Sequence, residues 1–331
     1  MKRSVFTLNP RSDGPCPFHV EAVQYIPHES SDNGFTLIFL HAMNLHKETF
    51  EPMLLHLLKQ ATAVRIKDVW CIENPNHGRS ARINHELLST PKYHGQWTAA
   101  DYSGAVHSFL TSTVHGTDFA KRKLIGVAHS AAAASLLLIQ DEWPKINFHG
   151  LIFLDPAILH GGKESRSLCE LFGNWAKSKR HTWDSRDAAL SQLSRTAFKR
   201  WKPLGVELFV EHALRTGVDG TYVTLTCSPV QEAAFYLSPD TDLVGRPFEI
   251  FTQLAAADKL PIHLIICIND EYKGKTDEMK QLQIQHVSAT TKGSVQIVEG
   301  GHMFPQTEPL LCTRAILQAL EKLQSGAGTR L

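Results

Sequence analysis

Three kinds of side chain that cooperate in acyl-bond cleavage occur here in a telling order. A serine sits in a strand-to-helix turn, carboxylates follow strands, and a histidine occupies a glycine-led loop near the C-terminus. The segment Lys123-Leu-Ile-Gly-Val-Ala-His-Ser-Ala-Ala-Ala-Ala-Ser-Leu-Leu-Leu-Ile139 reads as a buried strand, a tight turn and a helix. Ser130 falls at that turn, where its oxygen stands proud of the sheet edge. The usual pattern at such a nucleophile is Gly-x-Ser-x-Gly. Here it is Ala128-His129-Ser130-Ala131-Ala132. Small residues are needed on both sides because strand and helix pass close together, and a methyl group still fits. Taken by itself, the segment also suits an Ala/Ser-rich helix buried behind a strand.

A serine hydroxyl hardly ionises at neutral pH, so Ser130 needs a base during attack. Val295-Gln-Ile-Val-Glu-Gly-Gly-His302-Met-Phe-Pro305 supplies one after a short strand and a glycine pair. An acid must then hold His302 in one tautomer and stabilise it once charged. Asp155 follows the Leu151-Ile-Phe-Leu154 run, and Pro156 ends that strand. Asp270 and Glu271 follow a second strand, Leu264-Ile-Ile-Cys-Ile268. All three carboxylates qualify; Asp155 is preferred because Asn269-Asp270-Glu271-Tyr272 lacks a clean glycine, two residues, aspartate spacing. The tetrahedral intermediate needs backbone donors. Ala131 N–H is one, directly after the nucleophile. Met43 N–H is the other, in the loop His41-Ala42-Met43-Asn44, and its side chain is expected to line the pocket.

These residues must be positioned by a layered frame. Strands expected at 19–26, 36–40, 65–73, 124–128, 148–154 and 261–268 alternate with helices at 47–60, 97–113 and 308–323. That alternation predicts a mostly parallel sheet with helices on both faces. The turn Asn74-Pro75-Asn76-His77-Gly78-Arg79-Ser80 fits such a frame, with His77, Trp97 and Asp101 in structural roles. Between Ile158 and Ala255 the alternation stops, and helical patterns appear at 168–177, 186–198 and 230–237. About a hundred residues cannot be a single loop in a compact domain. The expectation is one domain over 1–331, with a helical cap inserted at 158–255.

The composition narrows the classes. Of 331 residues, 43% are hydrophobic and 20% charged, which suits a globular domain. A net charge of +1 provides no field for nucleic acid or an anionic membrane. No run approaches the roughly 20 apolar residues of a membrane span, and the N-terminus lacks an apolar stretch of signal-peptide length. The 18 histidines are scattered without metal-ligand spacing, so no metal or cofactor is expected. None of the six cysteines forms Cys-x-x-Cys, and Cys71 and Cys267 lie in expected strands, which fits a reducing compartment. The tail Ser325-Gly-Ala-Gly-Thr-Arg-Leu331 ends in a small hydroxyl residue, a cation and leucine, similar to the peroxisomal Ser-Lys-Leu.

In motif order and spacing, residues 36–323 resemble the α/β-hydrolase superfamily. Three stretches resemble a narrower fungal group of toxin-biosynthesis hydrolases and peroxisomal acyl-CoA hydrolases of secondary metabolism. They are His41-Ala-Met-Asn-Leu-His-Lys-Glu-Thr-Phe-Glu-Pro52, Leu151-Ile-Phe-Leu-Asp-Pro156 and Thr224-Leu-Thr-Cys-Ser-Pro229. Alanine at Ala42, Ala128 and Ala132 departs from the family's glycines. The resemblance implies the α/β-hydrolase fold with its cap after the sixth strand. It implies an acyl-enzyme mechanism on a carboxylic ester or acyl-CoA thioester, with the acid mapped onto Asp155. It places the protein in the peroxisome, or otherwise in the cytoplasm. The expected partners are a small-molecule substrate, a peroxisomal import receptor and a second copy of the chain. Two rival readings use the same pocket: a non-catalytic ligand-binding homologue, and a C–C hydrolase or cyclase.

Overall fold

The computed structural model describes residues 1–10, 14–113, 116–238, 242–268, 272 and 274–327. Eleven strands occur among them: β1 Lys2–Leu8, β2 Val20–Ile26, β3 Phe35–Leu40, β4 Ile66–Ile72, β5 Lys123–His129, β6 Phe148–Leu154, β7 Thr182–Trp183, β8 Leu214–Thr216, β9 Val223–Leu225, β10 Ile262–Cys267 and β11 Ser294–Val298. The helices of the first half are α1 Glu51–Gln60, α2 Gly78–Ile83, α3 His85–Leu88, α4 Ala99–Thr111 and α5 Ala132–Leu138. Those of the second half are α6 Gly162–Ser178, α7 Arg186–Arg195, α8 Pro203–His212, α9 Pro229–Leu237, α10 Arg246–Ala257, α11 Asp277–Ser288, α12 Phe304–Thr307 and α13 Pro309–Ala327.

Eight strands form one sheet in the order β1-β2-β4-β3-β5-β6-β10-β11. Pairs β1/β2 and β2/β4 are antiparallel, and the other pairs are parallel. The strands read as near-continuous apolar runs because both faces are covered. Successive side chains go to opposite faces: Leu37, Phe39, Ile125, Val127, Ile152 and Leu154 pack with α1 and α13. Ile38, Leu40, Leu124, Leu151 and Phe153 pack with α4, α5 and α10. Helix α4 starts where Thr98 and Asp101 cap each other's backbone N–H groups. Trp97, just before it, is buried and donates to Asn74 Oδ1 at 3.1 Å. Both residues therefore act structurally, as expected from the sequence.

The residues between β6 and α10 include α6 to α9 and a small three-stranded antiparallel sheet in the order β7-β9-β8, which the helical patterns did not foretell. Helix α8 was also missed. Residues 246–255, expected within the cap, form part of helix α10, which packs on the sheet layer instead: Phe251 stands 6.5 Å from Phe153, ring to ring. The cap has its own core, including Trp183, Leu193, Phe198, Trp201, Phe209 and Leu225, and it shares Ala42 and Leu45 with the loop after β3. Arg82 on α2 grips the end of α8 and the start of β8, donating to the carbonyls of His212 at 3.0 Å and Leu214 at 2.7 Å. A guanidinium is favoured there because the last carbonyls of a helix lack partners and carry the negative end of its dipole. Strand β1 was likewise not anticipated, since Lys2-Arg-Ser-Val-Phe-Thr-Leu8 alternates weakly and lies at the sheet edge.

Candidate active site

Ser130 follows β5 with φ at +58°, in the left-handed region. Such a backbone costs a non-glycine residue about 1–3 kcal/mol and persists only when its surroundings enforce it. They do so here: Ser130 N–H donates to Leu154 O at 3.0 Å, and Ser130 O accepts from Ala157 N–H at 3.1 Å. The turn is thereby stitched to the end of β6. Ala128 and Ala132 are both fully buried beside the turn. At Gly126 the strand comes so close to α5 that a Cβ would stand 2.9 Å from Leu136 Cδ1.

His302 reaches Ser130 from the loop after β11. Its Nε2 lies 2.8 Å from Ser130 Oγ, and its Nδ1 lies 2.7 Å from Asp155 Oδ2. Since a carboxylate can only accept, Nδ1 carries the proton and Nε2 is left as the acceptor of the serine hydroxyl. Asp155 follows β6, itself at φ +41°. Its other oxygen, Oδ1, accepts from Cys267 N–H at 3.0 Å and from Lys280 Nζ at 3.0 Å. Burial pushes the Asp155 carboxyl up, but the His302 hydrogen bond, His302, Lys280 and the Cys267 N–H outweigh it and hold the group down at about 2. The structure thus brings Ser130, Asp155 and His302 into one hydrogen-bonded chain. Asp270 and Glu271, the alternative acids, lie outside the described residues.

Two buried histidines hold the loop after β3. His41 Nε2 accepts from Asn74 N–H at 3.0 Å, and His77 Nε2 accepts from Asn44 N–H at 3.0 Å. Burial pushes His41 down to about 3 and His77 well below the usual range, so both stay neutral and can accept. His77 is structural, as the sequence suggested. Met43 lines the cavity, and its sulfur lies 3.7 Å from Asn74 Nδ2. Neither Met43 N–H nor Ala131 N–H donates to another group among the described residues. Asn44, at φ +66°, accepts through its side chain from Lys179 Nζ, which also pairs with Glu232 of α9. A buried cap ion pair is thereby tied to the loop.

Three features escaped the sequence reading. Lys280 on α11 pairs with Asp155. His129, fully buried and pushed down to about 3 by burial, puts Nε2 at 2.9 Å from His302 O and so pins the histidine's backbone. Third, Lys47 is fully buried among carboxylates, 2.6 Å from Glu21, 3.0 Å from Glu48 and 3.1 Å from Glu73. His46, Glu48 and Glu73 bring metal-ligand atoms within 4.8 Å of one another, and the Lys47 ammonium bridges the two carboxylates of that group. This cluster joins the loop after β3 to the turn after β4. There Gly78 takes φ +53°, and a Cβ on it would meet Glu73 Oε1 at 2.0 Å. A lysine beside an acid, or a histidine before a serine, has no spacing signature, because the partners come from distant strands.

Ser130, His302, Asp155 and Met43 open into a cavity of about 190 Å³ beneath the cap. Its walls are mainly apolar, with Leu168, Phe172, Trp175, Trp201, Tyr236 and Met279 among them. A larger depression of about 1120 Å³ lies at the opposite end of the strands, lined by Phe35, Lys123 and Phe148 at the starts of β3, β5 and β6, and none of the Ser130 chain reaches it.

A profile of the alpha/beta hydrolase family matches residues 37–314. The chain belongs to that family. The type I acyl-CoA thioesterase mpaH' of Penicillium brevicompactum is 24% identical over 221 residues, 65% of this chain and 45% of the relative. The chain thus spans about half the length of the thioesterases it matches. The abhydrolase domain-containing protein ACTT2-1 of Alternaria alternata is 24% identical over 226 residues, 61% of this chain and 84% of the relative. Among solved structures, the peroxisomal alpha-beta-hydrolase Lpx1 of Saccharomyces cerevisiae superposes with a TM-score of 0.74 at 16% identity, covering 100% of this chain and 91% of that one. The thioesterase domain from the curacin biosynthetic pathway gives a TM-score of 0.67 at 14% identity, covering 96% and 100%. Such distant superpositions establish the fold.

Proposed function

We propose that the protein hydrolyses a carboxylic ester or acyl-CoA thioester through an acyl-enzyme on Ser130. The observation that carries this reading is the Ser130–His302–Asp155 chain, with contacts of 2.8 and 2.7 Å, facing an apolar cavity. In the proposed reaction His302 Nε2 takes the serine proton as Oγ attacks the acyl carbon. Met43 N–H and Ala131 N–H receive the developing oxyanion. His302 then protonates the leaving alcohol or thiol, and a water, deprotonated by the same nitrogen, releases the acid. Asp155 holds the imidazole tautomer throughout.

The thioester form draws support from the acyl-CoA thioesterase relatives and from the rim. Cap residues Ala197, Phe198 and Trp201 line the cavity, while Lys199, Arg200 and Lys202 on the same segment are exposed, where they can meet the phosphates of a carrier. A role in fungal secondary metabolism rests on the resemblance of the three sequence stretches alone, and the peroxisome on the likeness to the peroxisomal hydrolase Lpx1 and on the resemblance of Thr329-Arg330-Leu331 to a peroxisomal address. The test is reaction with a fluorophosphonate probe. Purified protein should be labelled and Ser130→Ala should not, with turnover of p-nitrophenyl esters or acyl-CoAs falling on the order of 10³-fold or more. Equal labelling of the variant would remove Ser130 as nucleophile.

A further inference from the structure

Lys280 projects from the first turn of α11 to the buried oxygen of Asp155 that His302 does not use. Its ammonium lies 3.0 Å from Asp155 Oδ1 and 2.9 Å from Cys267 O, with its side chain 9% exposed. Cys267 N–H donates to that same Oδ1 at 3.0 Å. Lys280 therefore bridges the end of β10 to the acid at the end of β6. With one oxygen on His302 and only a neutral amide on the other, the carboxylate would be held less firmly against rotation about its Cβ–Cγ bond. Charge-assisted hydrogen bonds are shorter and about twice as strong as neutral ones, so the ammonium fixes the carboxylate plane.

We propose that Lys280 is a positioning residue of the catalytic chain, clamping Asp155 Oδ1 so that Oδ2 stays aimed at His302 Nδ1. The inference rests on the serine-hydrolase reading above. The clamp acts through Asp155, so its loss lowers the rate of nucleophilic attack while leaving substrate binding in place. The lysine also lines the cavity, so a small amine can reach its position once the side chain is shortened.

The test measures fluorophosphonate labelling rates and p-nitrophenyl acetate kinetics in the full chain. Lys280→Met should slow labelling and kcat by about 10- to 100-fold, short of the roughly 10⁴-fold that follows loss of a triad acid. KM should stay within about twofold, as expected when an interaction serving only the transition state is lost. Lys280→Arg should retain most of the rate, and ethylammonium should restore part of the activity of Lys280→Ala. Folded Lys280→Met and Lys280→Ala variants that label at the wild-type rate would overturn the proposal. If those variants fail to fold, the reciprocal measurement decides. In lysine-¹⁵N-labelled protein the Lys280 ammonium resonance should move on Asp155→Asn, and an unmoved resonance also overturns the clamp. Wild-type protein that does not label at Ser130 would instead sink the serine-hydrolase reading, with the resonance experiment still reporting on the contact.

Discussion

At the scale of single residues, the Asp155 carboxyl combines deep burial with three donors, from His302, Cys267 and Lys280. Its folded value is depressed from 3.8 to about 2. A depressed carboxyl contributes stability that is present above the unfolded value and lost as pH falls through the folded one. The window therefore runs from about pH 4 down to about pH 2, with on the order of 2 kcal/mol at stake. Asp155→Asn should flatten this arm, and urea midpoints at pH 5 and pH 2 would show it; an unchanged pH slope would contradict the assignment. The same variant should lose about 10⁴-fold in turnover, whereas Asp270→Asn should stay near wild type. The reverse pattern would transfer the acid's role to Asp270.

At the scale of elements, the cap and the loop after β3 meet through Lys179, Glu232 and Asn44. The Lys179 and Glu232 side chains are 10% and 1% exposed, so removing either partner strands the other's charge in the interior. Breaking a buried pair in this way costs about 3–5 kcal/mol. Lys179→Met should lower stability by that order and slow fluorophosphonate labelling, because Asn44 loses its donor. Adding Glu232→Gln to it should recover part of the stability. Urea unfolding of the four members of this cycle checks the coupling, and simple additivity would show that the two side chains do not interact.

At the scale of the whole molecule, substrate class and location are decided outside the hydrogen-bonded chain. Reversing Lys199 and Arg200 to glutamate should raise KM for an acyl-CoA by several-fold to about tenfold, since exposed charge contacts are worth about 0.2–1 kcal/mol each. The effect should shrink in high salt, and p-nitrophenyl acetate should be indifferent; equal effects on both substrates would argue against a phosphate-binding rim. Among the described residues no helix is long and apolar enough to cross a membrane. A fluorescent protein fused to the N-terminus, with Thr329-Arg330-Leu331 ending the expressed chain, should give puncta on a peroxisomal marker. Deleting the three residues should make it diffuse. Diffuse signal from the full fusion would remove the peroxisome and weaken the thioester reading.

Local pattern was enough to find the serine turn, the glycine-led histidine loop, the loop after β3 and most sheet strands. Each depends on contacts between near neighbours in sequence: a buried apolar run, a tight turn, a helix start. The three-stranded cap sheet, β1 and the placement of α10 against the sheet were not legible, because short or edge strands and helix docking depend on partners far along the chain. The choice of acid was narrowed by spacing and family likeness, yet the contact of Asp155 with His302 required the parallel strands β6 and β11 to end on the same side of the sheet. Lys280 and His129 were silent for the same reason. Their partners, Asp155 and the His302 carbonyl, lie 125 and 173 residues away in the chain, and only the folded sheet brings them within hydrogen-bond distance.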